Sequence, residues 1–308
     1  MPDGAPVHRG LRAAVPASPS GIQTGDRPGG VVFFLSDYGR SDEFVGVVHA
    51  VLQRLAPGCP VVDLTHDVPP FDVRAGAAAL ARCVAHLGPG VVLGVVDPGV
   101  GSARRGVVLE VAGHRGPDPG PRFFVGPDNG LLVAAAEAAG SVVAAYALAP
   151  PEGDTATFDG RDLFAPVAAA LITGDGLPEH AERLDPGRLV RLAPPVVEHG
   201  QLEDGRSLLR CEVTWVDRFG NVELAGRPGD LPPDLPLVVV GVDRGGGHPP
   251  GEPARAELAR PVRTFSDLDV GEVGVLVDAS GHLAVVTREA SASERLEAAV
   301  GMLVDIIW

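Results

Sequence analysis

The chain has 308 residues, 45% of them apolar, and a formal net charge of -15. That is long enough for one large domain or two ordinary ones, with ample apolar material for a core. All 25 basic residues are Arg, which excludes a Schiff-base lysine and the lysine of a Walker-type phosphate loop. The acidic balance disfavours phosphate backbones, so no nucleic-acid partner is expected.

Residues 1–29 hold Pro, Gly, Ser and Arg without a sustained period. They read as a disordered tail and carry no apolar run of a secretory signal. The apolar run 31–35 predicts a buried strand. Over 42–55, Phe44, Val47, Val48, Val51 and Leu55 recur at helical spacing. A second strand follows at 61–64, an Ala-rich helix at 74–87, and a third strand at 91–96, ending at Asp97. Strands are expected near 107–111, 122–125 and 142–148, and helices at 130–139 and 162–173. The stretch 131–149 is apolar enough to raise the question of a membrane span. Glu137 and Gly140 interrupt it, so a helix followed by a strand is the better fit, and no membrane partner is expected. This alternation predicts an α/β N-terminal domain with a mostly parallel central sheet over 30–190.

Beyond residue 190 short β-rich runs at 208–216, 237–242, 273–277 and 283–287 alternate with Gly/Pro turns. They predict an all-β, barrel-like C-terminal domain over 191–308. Residues 243–253 read as a Gly/Pro loop, and Ile306, Ile307 and Trp308 as a terminal strand or a subunit contact. Cys59, Cys83 and Cys211 are far apart and form no CxxC pair, so neither a zinc knuckle nor a disulfide framework is indicated. Cys83 reads as a small core residue, and the expected setting is a reducing cytoplasm.

Polar residues gather at the predicted strand ends: Ser36, Asp37, Tyr38 and Gly39 after the first, and Asp63, Thr65, His66 and Asp67 closing the second. Asp97 to Gly101 follow the third, with Arg104 and Arg105 close behind. Ligands of open α/β sheets sit outside the carboxyl ends of the strands. Any one of these Asp residues can be a turn or helix cap, but three strands delivering carboxylates to one edge point to a site. The Asp63, His66 and Asp67 group matches no standard ligand spacing and offers a single His, so no metal is expected. Asp128, Asn129 and Gly130 signal a turn before a helix. Asp159 fits either a helix cap or a ligand-facing group.

Taken in order, these pieces resemble the S-adenosyl-L-methionine hydroxide adenosyltransferases, relatives of fluorinating and chlorinating enzymes. The resemblance rests on Ser36-Asp37-Tyr38-Gly39 with Asp42, Val62-Asp63-Leu64-Thr65-His66, Pro70-Phe71-Asp72-Val73, and Val96-Asp97-Pro98-Gly99-Val100-Gly101 with Arg104-Arg105. It continues through Gly126-Pro127-Asp128-Asn129-Gly130-Leu131, Thr157-Phe158-Asp159-Gly160-Arg161-Asp162, Asp217-Arg218-Phe219-Gly220-Asn221 and Ser293-Glu294-Arg295-Leu296.

The resemblance implies hydrolysis of S-adenosyl-L-methionine to adenosine and L-methionine, by attack of water or hydroxide on C5′. It implies a homotrimer with sites between one subunit's N-terminal domain and a neighbour's C-terminal domain, and no metal or organic cofactor. By the same resemblance Asp97, Arg104 and Asp159 take the water-activating positions. Asp37 matches a carboxylate gripping the ribose hydroxyls, and Asp42 a residue near the methionine ammonium. Phe71 and Phe158 match walls beside the ribose and the reacting carbon. Phe219 and Asn221 match the adenine wall and its hydrogen-bonding partner, and Ala279 and Ser280 a loop near the methionine end and adenine. Val100, Gly160, Asp217 and Glu289 complete the substrate contacts.

Two departures matter. The family usually carries His where this chain has Asp159, which leaves open a slow or non-catalytic binder of the nucleoside. Thr287 and Glu289 also replace residues expected against adenine, where backbone contacts would have to serve. A halogenase is the nearest relative in chemistry, but a carboxylate at Asp97 repels a halide.

Overall fold

The structure is a computed structural model that describes residues 30–114, 120, 122–149, 157–243 and 255–308. The tail read at 1–29, and the Gly/Pro loop apart from Asp243, lie outside the described residues.

The first unit is a seven-stranded sheet. Its strands are β1 (Val31–Ser36), β2 (Val61–Thr65), β3 (Gly90–Val95), β4 (Gly106–Ala112), β5 (Phe123–Pro127), β6 (Ser141–Leu148) and β7 (Glu182–Leu184). The order is β2-β1-β3-β5-β4-β6-β7. β2, β1, β3 and β5 pair in parallel, while β4 is antiparallel to β5 and β6, and β7 to β6. β6 therefore points the same way as the parallel set, and the sheet is mostly parallel, as the sequence predicts. β1 and β3 are apolar almost throughout because both faces are covered.

On one face α1 (Phe44–Leu55) and α4 (Ala165–Thr173) pack Val48, Leu52, Ala168 and Leu171 against Phe34 and Leu93. On the other, α2 (Val73–Cys83) and α3 (Val133–Ala139) bring Leu80, Ala135 and Ala136 against Leu35 and Phe124. The side chain of Asp72 caps α2 by accepting from the N–H of Ala75 at 2.9 Å. Cys83, expected in the core, is half-buried at the end of α2. The stretch 131–149 divides into α3 and β6, and among the described residues no helix is long and apolar enough to cross a membrane.

The second unit contains β8 (Val197–Gln201), β9 (Ser207–Val216), β10 (Val222–Leu224), β11 (Val238–Asp243), β12 (Arg255–Pro261), β13 (Val273–Val277), β14 (Leu283–Thr287) and β15 (Leu303–Ile307), with α5 (Ala292–Leu296). The order is β10-β14-β13-β12-β11-β15-β9-β8, and β10 also pairs with β9. That extra ladder closes seven strands into a barrel and leaves β8 hanging on β9. Val213, Leu224, Val240, Val285 and Ile306 fill the interior. Residues 306 and 307 belong to a strand, as one of the two sequence readings has it. The two units meet where Arg82 of α2 bonds Glu223 at 3.0 Å and lies 4.9 Å above the Trp215 ring.

Candidate active site

Two groups of predicted site residues assemble, one on each unit. On the sheet, Asp97 leaves β3 and Arg104 precedes β4, so a Gly-rich turn folds them together. A single Arg104 Nη2 donates to Asp97 Oδ2 at 2.5 Å and to Asp159 Oδ2 at 2.6 Å. All three side chains are about nine-tenths buried. Asp97 Oδ1, Arg104 Nε and Arg104 Nη1 are buried without a hydrogen-bond partner. Buried polar atoms left open in this way are positions that a water or a ligand can take. Burial pushes the Asp97 carboxyl above its usual range; the Arg104 guanidinium opposes this and the neighbouring Asp159 adds to it.

Asp159 stands just ahead of a five-residue π-type turn, Gly160–Phe164, which leads into α4. Such wide turns recur at functional sites. The sequence expects the helix from 162, whereas the turn opens at Gly160. Glycine is needed there because a β-carbon would overlap the Tyr38 hydroxyl. Tyr38 packs edge-on against Phe158 at 5.6 Å, and Phe44 closes the aromatic group at 5.6 Å from Tyr38 and 5.2 Å from Phe158. Burial raises the Tyr38 phenol, and Asp37, Asp97 and Asp159 raise it further, so it stays protonated. The sequence places Tyr38 at the strand end without giving it a role, and Phe44 reads there only as part of the apolar spacing of α1.

Asp37 Oδ2 accepts from the Phe71 N–H at 2.9 Å. Phe71 adopts a left-handed backbone, φ 69, and its side chain is 70% exposed. A bulky residue in that region stores strain, and an exposed ring is not core. Val100 is also exposed, as is Asp42. Arg105, by contrast, turns away to bond the buried Asp128 at 2.6 Å. Asn129 bonds the Val96 carbonyl, so the 128–130 segment is structural, as expected.

On the barrel, the turn after β9 is organised by one carboxylate. Asp217 Oδ1 accepts from the N–H groups of Phe219 and Asn221, and Oδ2 from the Asn221 amide at 2.7 Å. Phe219 is 70% exposed. Asn221 and Phe265 line two adjoining cavities. One, of about 610 Å³, also holds Phe219, Thr287 and Glu289; the other, of about 520 Å³, holds Asp217, Ala279 and Ser280. Both volumes suit a small ligand. Glu289 has φ 58 and is exposed, while Thr287 is buried and donates to the Ala290 carbonyl. Phe265, far away in sequence, was not foreseen.

Among the described residues no hydrogen bond, ion pair or ring contact joins the sheet group to the barrel group. Neither cavity is lined by Asp37, Asp97, Arg104 or Asp159.

Models of the SAM hydroxide adenosyltransferase N-terminal and C-terminal domains match residues 32–181 and 211–305. A Salinispora arenicola protein named (R)-S-adenosyl-L-methionine hydrolase is 42% identical over 274 residues, 88% of this chain and 95% of its own. A Thermus thermophilus protein of the same name is 37% identical over 292 residues, 90% of this chain and 99% of its own. Among solved structures, an uncharacterized conserved protein from Thermotoga maritima aligns with a TM-score of 0.73 and 33% identity, covering 90% of this chain and all of that one. With both halves matched in order and relatives of this identity across most of its length, the chain belongs to the SAM hydroxide adenosyltransferase family.

Proposed function

We propose that the chain hydrolyses S-adenosyl-L-methionine to adenosine and L-methionine, by in-line attack of water on C5′ beside Asp97. The observation that carries this reading is the buried Asp97–Arg104–Asp159 group with Asp97 Oδ1 unpartnered. A water accepted by Oδ1 is polarised as a nucleophile. The O–C5′ bond forms as the C5′–S bond breaks, and the electron pair stays on sulfur as the neutral thioether of methionine. The water's proton passes to the carboxylate and then to solvent. Because a sulfonium leaves without protonation, the protein needs no acid, only positioning and a base. Positioning of two reactants is worth about 7–11 kcal/mol.

Asp37 grips the ribose hydroxyls with an acceptor-only group, while Phe71 and Phe158 wall the sugar and the reacting carbon. Val100 and Gly160 line the same edge, and Asp42 meets the methionine ammonium. On the barrel Phe219 stacks on adenine, Asn221 and the Glu289 backbone bond its edge, and Ala279 and Ser280 reach its rim. The separation of the two groups within one chain supports a homotrimer in which a neighbour's barrel completes each site.

The test is incubation of pure protein with S-adenosyl-L-methionine, with chromatography for adenosine and methionine. Water labelled with heavy oxygen should place the label on the 5′-hydroxyl, and Asp97→Ala should make no adenosine. Asp159 in place of His favours one second reading, a protein that binds the nucleoside without turnover. Tight binding with no adenosine from the unaltered chain would establish that reading instead.

A further inference from the structure

We propose that His49, Asp63 and His66 form a binding site for one divalent transition-metal ion of the zinc class, apart from the Asp97 group. The sequence offers Asp63 and His66 in one motif and no second imidazole. The fold supplies it, by laying α1 over the edge strand β2. His49 Nε2 then stands 2.8 Å from Asp63 Oδ1, and His66 Nε2 stands 3.1 Å from the same oxygen. The three donor atoms all lie within 4.8 Å of one another. Donors bound to zinc at about 2.0–2.2 Å are separated by about 3.0–3.5 Å at tetrahedral or octahedral angles, so little movement is needed to admit the ion.

The second observation is His66 itself. Its side chain is 2% exposed, and Nε2 is buried without a well-aligned hydrogen bond although Asp63 Oδ1 is 3.1 Å away. Ser36 Oγ holds Nδ1 at 2.8 Å, fixing the ring so that Nε2 faces the cluster. A hydrogen bond at the far nitrogen is how ligating histidines are oriented. Two imidazoles with one carboxylate suit zinc, cobalt, nickel or ferrous iron rather than calcium or magnesium. His49 and Asp63 are each about one-third exposed, so solvent can reach the remaining coordination positions. Nearby Asp67 pairs with Arg40 at 3.4 Å and is not needed as a ligand.

Occupancy would bear on the reaction loop without entering the chemistry. The His66 carbonyl accepts from the Gly39 N–H at 2.8 Å, and Ser36 accepts from the Tyr38 N–H at 3.3 Å. An ion on His66 would tie α1 to the loop that carries Asp37 and Tyr38.

The experiment uses the full chain, stripped with chelator and titrated at neutral pH with Zn²⁺ by calorimetry and with Co²⁺ by visible absorption. The proposal expects about one equivalent bound, imidazole-type cobalt bands, and a Tm raised by Zn²⁺. His49→Ala and Asp63→Asn, checked for folding by circular dichroism, should each weaken binding by at least ~10-fold. Asp97→Ala should bind as the parent does, so this outcome is independent of whether the chain hydrolyses its substrate. Failure to bind near one equivalent, or undiminished binding in either cluster variant, would overturn it: the cluster would then be an ion pair sharing a proton.

Discussion

Asp97 and Asp159 meet on one atom: the Nη2 of Arg104 donates to an oxygen of each, at 2.5 and 2.6 Å. The guanidinium is divided between two carboxylates, which is why it only partly offsets the effect of burial on Asp97.

A pH dependence follows. A base acts deprotonated, so the rate should rise with pH through the elevated pKa of Asp97 and level off above it. Asp159→Asn removes one negative neighbour and leaves Arg104 to Asp97 alone. The pKa then falls, and the acid limb of kcat should move to lower pH. Initial rates from acid to neutral pH measure it; a limb that stays put or moves upward would remove Asp159 from the group.

Loss of the proposed base, Asp97, should be severe. Asp97→Asn keeps a hydrogen-bonding group of the same shape but cannot take a proton, so kcat should fall by about 10²–10⁴-fold. Adenosine affinity, measured by calorimetry, should stay close to that of the parent, since Asp37 and the barrel residues are untouched.

Tyr38 and Gly160 should behave as a pair. Gly160→Ala drives a methyl group into the Tyr38 hydroxyl and should cost about 1–3 kcal/mol of stability by overpacking, with a fall in activity as Asp159 shifts. Adding Tyr38→Phe makes room, so the double variant should recover much of the Tm and the rate. A double-mutant cycle measures the coupling; strictly additive effects would mean the two residues do not share the space.

How much of this could be read from the sequence depended on how local the signal was. β1 and β3 were plain as apolar runs, and the carboxylates at their ends marked the edge of the site. β7 and β10 span three residues each, and β8 is exposed throughout; such strands form because neighbours pair with them, not because of their own pattern. His49 sits on a helix whose apolar spacing says nothing of an Asp on the next strand. Tyr38 against Gly160 likewise exists only after α4 has docked. Cys83 has apolar company in the sequence, but it is the last residue of α2 and is only half-buried there.

On the barrel, Asp217 should act through Asn221. Asp217→Asn removes the charged acceptor of three hydrogen bonds, bonds of a type worth about 1.5–3 kcal/mol each to charged groups. The turn should loosen, with KM rising about tenfold or more and kcat changing far less. Rise of KM alone, under saturating kinetics, is the check; an equal fall in kcat would place the turn in the chemical step.

If neighbouring copies share each site, two impaired variants should rescue one another at low substrate concentration. Asp97→Ala lacks the proposed base and Asn221→Ala the proposed adenine partner. Co-refolded together, they should form some sites with both halves intact and regain a measurable fraction of parental activity. Each alone should make little adenosine in the same assay, run well below the raised KM of Asn221→Ala. No recovery from a verified mixed assembly would place both halves of the site in one chain.

The position of β15 sets the timetable for biosynthesis. Its residues, 303–307, lie between β9 and β11, whereas every strand of the first sheet is complete by Leu184. Emerging from the ribosome, the sheet can be assembled while the barrel still has an open gap, since β9 must wait for a neighbour made almost a hundred residues later. Until β15 emerges, nascent β9 and β11 each keep an unpaired edge, the kind of surface a chaperone shields.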